Sequence, residues 1–276
     1  MSGFLQCLSH TPLIGKLTPA PSVIDKVDAY TAEARGRIEQ FDPQLVSIFG
    51  PDHFNGFFND DVDVAVSQRM RVDHGFTQPL DLLLGRIDKF PVIAVFVNCV
   101  AKPLPTSKRT RILGETIGNF CKALDKRVLF LASGGLSHQP PIPEYATASE
   151  DVRQRLLGNP KVLSPEAREA RTIRTIEAAK TFVDDQTTLH PLAPEWDQSF
   201  IKTISAGKMS ELDGLANKTV TEAAGASTHE VKMWVAANAT MAQFGPYEPV
   251  AQYYRPIPEW IAGYGGLTAQ SRPKAA

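Results

Sequence analysis

Cysteine is scarce in this chain, with three residues among 276. The number is odd, and Cys7, Cys99 and Cys121 each sit in an apolar run. That pattern argues against a disulfide frame and for reduced core side chains of a cytoplasmic protein. No two of them are close in sequence, which argues against a Cys-based metal site. Charge of one sign is lacking as well: 29 basic and 30 acidic residues leave a formal net charge of −1. Electrostatics gives no case for nucleic acid or an anionic membrane as partner. No apolar run approaches the length of a membrane span. Met1-Ser2-Gly3-Phe4 has neither the basic start nor the apolar stretch of a signal peptide. Internal repeats and low-complexity segments are absent. Gly134-Gly135 lacks the rest of a G-x-G-x-x-G pattern and the P-loop lysine, so nucleotide binding is a poor expectation.

What is present is ordinary globular material: 43% hydrophobic and 21% charged residues, in a chain long enough for a sizeable core. The pattern alternates. Strands are expected at 4–8, 45–49, 62–67, 91–99 and 127–132, with helices at 21–40 and 107–125. From about residue 150 it turns helical, at 164–187, 198–205, 209–218 and 227–243. Such alternation predicts an α/β fold, a three-layer sandwich with a central mixed, mostly parallel sheet flanked by helices and a helical C-terminal half. Nothing reads as a flexible linker, so residues 1–276 are expected to form one domain. The aromatic, proline-stiffened run Tyr253 to Ile261 reads as an ordered tail packed on the body. One junction is odd. Phe57-Phe58-Asn59-Asp60 runs straight into Asp61-Val62-Asp63-Val64, leaving no helix between two strands expected to pair in parallel.

Four of the six histidines follow these apolar runs: His10, His53, His74 and His138. In an open α/β sheet, ligands bind beyond the carboxyl ends of the strands, so these imidazoles are expected to meet in one crevice. Two imidazoles and one carboxylate can hold a metal from one side, as in non-haem Fe(II) oxygenases. His10, His53 and Glu230 are the candidates, although no short metal motif links them. Each has a plain alternative. Ser227-x-x-Glu230 is a capping box, Asp52-His53 fits a turn, and His10 fits a hydrogen-bonded loop histidine. His74 and His138 suit proton transfer near neutral pH, with a turn or cap role as the alternative for His138. His190 and His229 read as structural.

Cys7-Leu8-Ser9-His10-Thr11-Pro12, Pro51-Asp52-His53-Phe54-Asn55-Gly56, Val72-Asp73-His74-Gly75-Phe76, Ser133-Gly134-Gly135-Leu136-Ser137-His138-Gln139-Pro140-Pro141 and Ser227-Thr228-His229-Glu230 together resemble the class III extradiol ring-cleavage dioxygenases. The resemblance runs from Phe4 to about Tyr264, and the Ser-Gly-Gly-Leu-Ser-His-Gln-Pro-Pro segment is its most specific part. It implies Fe(II) held by His10, His53 and Glu230, with His138 as proton acceptor and His74 as proton donor. The implied partners are a catecholic small molecule with a three-carbon acid side chain and O₂, in a homo-oligomer. A redox-capable metal is required, which zinc is not. Family members carry a further segment between Asp60 and Asp61. The expectation is that a stretch is missing there from the sequence as read. An intact mass equal to 30.2 kDa would instead mean a true deletion that alters a wall of the site. A zinc hydrolase and a non-catalytic scaffold on the same frame stay open as alternatives.

Overall fold

A computed structural model describes residues 2–52, 72–143, 145, 148–157 and 165–272. Among the described residues the strands are β1 (Ser2–Leu8), β2 (Leu45–Asp52), β3 (Val92–Asn98), β4 (Arg127–Ser133), β5 (Tyr247–Ile257) and β6 (Ala262–Ser271). The helices are α1 (Pro21–Phe41), α2 (His74–Leu84), α3 (Ser107–Lys122), α4 (Glu150–Leu156), α5 (Pro165–Asp184), α6 (Pro194–Ser205), α7 (Asn217–Ala224) and α8 (Val231–Ala242). One sheet runs β3-β2-β4-β1-β6-β5. β1 to β4 pair in parallel, and β6 joins β1 antiparallel before turning back along β5.

The sheet is mostly parallel and covered on both faces, which is why its strands read as continuous apolar runs. Side chains alternate across it. Leu5, Cys7, Phe49, Val128 and Phe130 pack with α6 and α8 residues such as Ile201, Trp234 and Val235. Phe4, Leu8, Val46, Leu129 and Leu131 face the opposite way, against Val27 and Tyr30 of α1, Leu80 and Leu83 of α2 and Phe182 of α5. The expected three-layer α/β sandwich is therefore the fold. All three cysteines are buried and free.

α8 is buried from Val231 to Met241, as an apolar helix without a polar face must be. Glycines in α3 let it come close: a Cβ at Gly114 would strike the Ala236 carbonyl, and one at Gly118 would lie 2.6 Å from the Thr240 carbonyl oxygen.

The C-terminal region departs from expectation. The run at 253–261 is no tail, because β5 and β6 form a hairpin whose second strand lies inside the sheet beside β1. Glycine-rich β6 carries little strand propensity. Its glycines serve close approach instead, since a Cβ at Gly266 would strike the Tyr30 ring. Pro249 and Pro256 are tolerated because β5 is at the sheet's edge. Two other expected helices are broken up. The 209–218 segment is a 3₁₀ turn at Met209–Leu212 followed by α7, and the 227–243 segment opens with a 3₁₀ turn at Thr228–Glu230 before α8.

β2 is flanked by β3 and β4, and α2 supplies a crossover helix between β2 and β3. The expected strand at 62–67, the Asp60–Asp61 junction and His53 lie outside the described residues. No described helix is long and apolar enough to cross a membrane.

Candidate active site

Parallel pairing puts the carboxyl ends of β1, β2 and β4 at one edge of the sheet. His10 follows β1, and the loop Gly134 to His138 follows β4. Ser9 fixes the first of these turns: its N–H donates to the Gly265 carbonyl at 2.8 Å, and its Oγ accepts from Gly265 N at 2.9 Å. Ser133 Oγ lies 2.9 Å from His10 Nδ1, leaving Nε2 facing Glu230 Oε2 at 3.6 Å.

Glu230 ends the 3₁₀ turn ahead of α8 and is almost fully buried. Its Oε2 accepts the Gly135 N–H at 2.7 Å. Its Oε1 lies 3.5 Å from His138 Nε2. The carboxylate thus stands between two imidazoles, one oxygen toward each. It does not reach back to the start of its helix, and Ser227 Oγ is buried with no hydrogen bond. The capping box suggested by Ser227-x-x-Glu230 is not formed.

His138 has its orientation set by its own loop. Nδ1 is 2.7 Å from the Leu136 carbonyl, which can only accept, so Nδ1 carries the proton and Nε2 presents a lone pair when the ring is neutral. The main chain is held as well. His138 N donates to the Ala224 carbonyl at 3.1 Å, and its own carbonyl accepts from Ser227 N at 3.2 Å. Gly134 and Gly135 are close-approach positions. A Cβ at Gly134 would lie 2.5 Å from the Glu230 carbonyl oxygen, and one at Gly135 would lie 2.6 Å from His138 Cε1.

His74 opens α2, where the Asp73 carboxylate caps the helix by accepting from Gly75 N at 2.9 Å. One turn on, Gln78 clamps the loop after β1 in both directions, with 3.1 Å bonds to Thr11 N and Thr11 O. The His74 ring ends 5.2 Å from that of His10, edge to face. Sequence pattern gave no hint of this helix, since Gly75 and Pro79 interrupt it.

His229 points elsewhere. Its Nδ1 meets Lys232 Nζ at 3.0 Å and its Nε2 meets Thr221 Oγ1 at 2.9 Å. An ammonium can only donate, so His229 carries its proton on Nε2. Burial and the neighbouring Lys232 and Lys102 charges press the imidazole down to about 3. Burial lowers Lys232 to about 8. His190 bonds the Glu222 carbonyl at 3.1 Å and takes no part in the cluster.

Of the five residues singled out for chemistry, His10, His74, His138 and Glu230 come together, and His53 lies outside the described residues. Among the described residues, no three His, Cys, Asp or Glu side chains are grouped to hold a metal. His10 and Glu230 are a fitting pair of donors for one. Imidazole and carboxylate suit iron, zinc or manganese, and each is oriented by a partner behind it.

Residues 54–265 match the family described as the catalytic LigB subunit of aromatic ring-opening dioxygenase. The chain is 49% identical to 2,3-dihydroxyphenylpropionate/2,3-dihydroxicinnamic acid 1,2-dioxygenase 1 of Pseudomonas putida, covering 98% of this chain and 99% of that protein. It is 47% identical to the like-named protein of Klebsiella pneumoniae and 48% identical to that of Escherichia coli, with the same coverage. The Pseudomonas alignment spans 312 positions against 276 residues here, so that relative carries residues this chain lacks. Identity at this level across nearly the whole length, on a sheet whose strand ends bring His10 and His138 to either side of the Glu230 carboxylate, leaves one assignment: the chain belongs to the LigB family of aromatic ring-opening dioxygenases.

Proposed function

We propose that this chain is an extradiol dioxygenase that opens the ring of 3-(2,3-dihydroxyphenyl)propionate and its cinnamate analogue with O₂, using Fe(II) held by His10, His53 and Glu230. The names of relatives 47–49% identical over 98% of the chain support the substrate. The observation that carries the chemistry is Glu230 standing between His10 and His138, with His74 against His10. When bound, Fe(II) supplies a Lewis acid for the catechol oxygens and a redox partner for O₂.

The protein residues do the rest. Ser133 Oγ engages His10 Nδ1 at 2.9 Å, so that Nε2 is the atom left for ligation. Gly135 N–H keeps one Glu230 oxygen in place. His138 Nε2, with its lone pair outward, takes the second catechol hydroxyl proton. His74, whose ring stands 5.2 Å from that of His10, is the proton donor. Ring cleavage beside the diol gives a 2-hydroxy-6-oxo-nonadienedioate. A homo-oligomer in the cytoplasm completes this reading, the compartment in keeping with three reduced, buried cysteines. The residues that relatives carry in addition are assigned to the Asp60–Asp61 junction.

Oxygen uptake with 2,3-dihydroxyphenylpropionate, after anaerobic loading with Fe(II) or Zn(II), is the direct test. O₂ consumption and a yellow product with iron only are expected. Turnover with zinc and no oxygen demand would replace the proposal by a metal hydrolase, and neither activity would leave a scaffold.

A further inference from the structure

We infer that Asp197 is a positioning residue for His138, acting through Ser137; the inference rests on His138 being the base. Asp197 sits in the first turns of α6 and has no exposed surface, and its carboxylate bonds two residues, Ser137 and Tyr254. Oδ1 accepts the Ser137 N–H at 2.8 Å. Oδ2 accepts the Ser137 hydroxyl at 2.6 Å and the Tyr254 hydroxyl, from β5, at 2.7 Å. Ser137 is further tied by Ala193 N–H to its Oγ at 3.0 Å and by Gly263 N–H to its carbonyl at 2.8 Å. A Cβ at Gly263 would strike Asp197 Oδ2, so β6 leaves room for the carboxylate.

Burying a carboxylate without a basic partner is costly, and here three donors offset that cost. Burial still lifts its pKa above the usual carboxylate range, with the three hydrogen bonds and the nearby His138 imidazole pulling the other way. What this arrangement fixes is one residue of main chain. The Leu136 carbonyl bonds His138 Nδ1 across Ser137, so the torsions of Ser137 decide where the imidazole points. Rotation there would swing Nε2 away from the face shared with Glu230. Neither feature is visible in Glu195-Trp196-Asp197, which reads as the polar start of a helix.

The test compares Asp197→Ala, Asp197→Asn, Ser137→Ala and Tyr254→Phe in the Fe(II)-loaded enzyme, each alone and combined with His138→Ala. Asp197→Ala is expected to lower kcat by about 10- to 100-fold, the scale of a small misplacement of a catalytic group. KM for 2,3-dihydroxyphenylpropionate and iron content should hold. Asp197→Asn, whose amide oxygen can still accept from Ser137, should recover part of the loss. In the His138→Ala background Asp197→Ala should cost nothing more, since coupled residues are non-additive. In metal-free protein, amide exchange should quicken at 134–138 and not in β1 or β4. Equal losses in both backgrounds, or normal kcat in folded Asp197→Ala, would overturn the inference alone. Full turnover in His138→Ala would overturn it together with the proposed base. Should Asp197→Ala fail to fold, Ser137→Ala and Tyr254→Phe carry the same comparison, with the larger loss expected at Ser137.

Discussion

The main-chain N–H of Gly135 donates to Glu230 Oε2 at 2.7 Å, across 95 residues of sequence. The loop after β4 therefore orients the carboxylate at the head of α8 with its backbone, while carrying His138 three residues further on. The two glycines that open this loop do different things. A side chain at Gly134 would press on the Glu230 backbone, which cannot yield without moving α8. One at Gly135 would press on the His138 ring, which can swing away. Gly135→Ala is thus expected to fold and keep its metal while losing turnover about 10²-fold, the scale of a displaced catalytic group. Gly134→Ala should lose metal as well. Metal content beside kcat checks this, and the reverse pattern would contradict it.

Ser227 offers a sharper comparison, because two readings of one motif give different energies. A working capping box would lose about 1 kcal/mol on Ser227→Ala. Here the hydroxyl is buried without a hydrogen bond and Glu230 is turned away toward Gly135. Removing an unsatisfied buried hydroxyl costs little or stabilises, so the change should fall within about 0.5 kcal/mol of neutral. Urea denaturation of the metal-free protein measures it. A loss near 1 kcal/mol would restore the cap.

How much was legible follows from which residues carry each element. β2 and β4 are nearly uninterrupted apolar runs, and the histidines after β1 and β4 need only parallel pairing to meet. α2 escaped notice because Gly75 and Pro79 spoil its pattern, although the capping Asp73 was there to be seen. β6 escaped because its glycines answer to Tyr30, Leu136 and Asp197, neighbours that only the folded chain supplies. The Asp60–Asp61 junction, where a missing crossover is expected, lies outside the described residues. Asp197 and Ser133 could not be singled out, since a lone Asp or Ser signals nothing until its long-range partner is known.

A surface pair sets the expected response to acid. Arg111 on α3 grips Asp213 with both arms of its guanidinium, Nε to Oδ1 at 2.8 Å and Nη2 to Oδ2 at 2.7 Å. Those bonds hold the Asp213 carboxyl below its usual range. A depressed folded pKa adds stability that is present above the unfolded value, about 3.9, and lost as pH falls through the folded one. Asp213→Asn should therefore cost up to about 1 kcal/mol at pH 7, in line with partly exposed pairs. The gap between variant and wild type should close as pH drops below about 3.9. Paired urea titrations at both ends decide it, and a gap that widened in acid would refute the assignment.

The two histidines proposed for proton transfer differ in how firmly they are held. His138 is locked by Leu136, Ala224 and Ser227, whereas His74 hangs from the first turn of a helix that Gln78 clamps to Thr11. Neither is proposed to ligate metal, so His138→Ala and His74→Ala should each retain it while turnover falls about 10²–10⁴-fold, the usual worth of acid–base catalysis. Glu230→Ala should behave differently and lose the metal itself. Freed of Gln78, His74 should misplace its proton: Gln78→Ala is expected to reproduce part of the His74→Ala loss in kcat. In the His74→Ala background it should have no further effect. Metal titration beside steady-state kinetics separates these outcomes. Metal loss in His138→Ala would recast that residue as a ligand, and full turnover in His74→Ala would remove it from the mechanism.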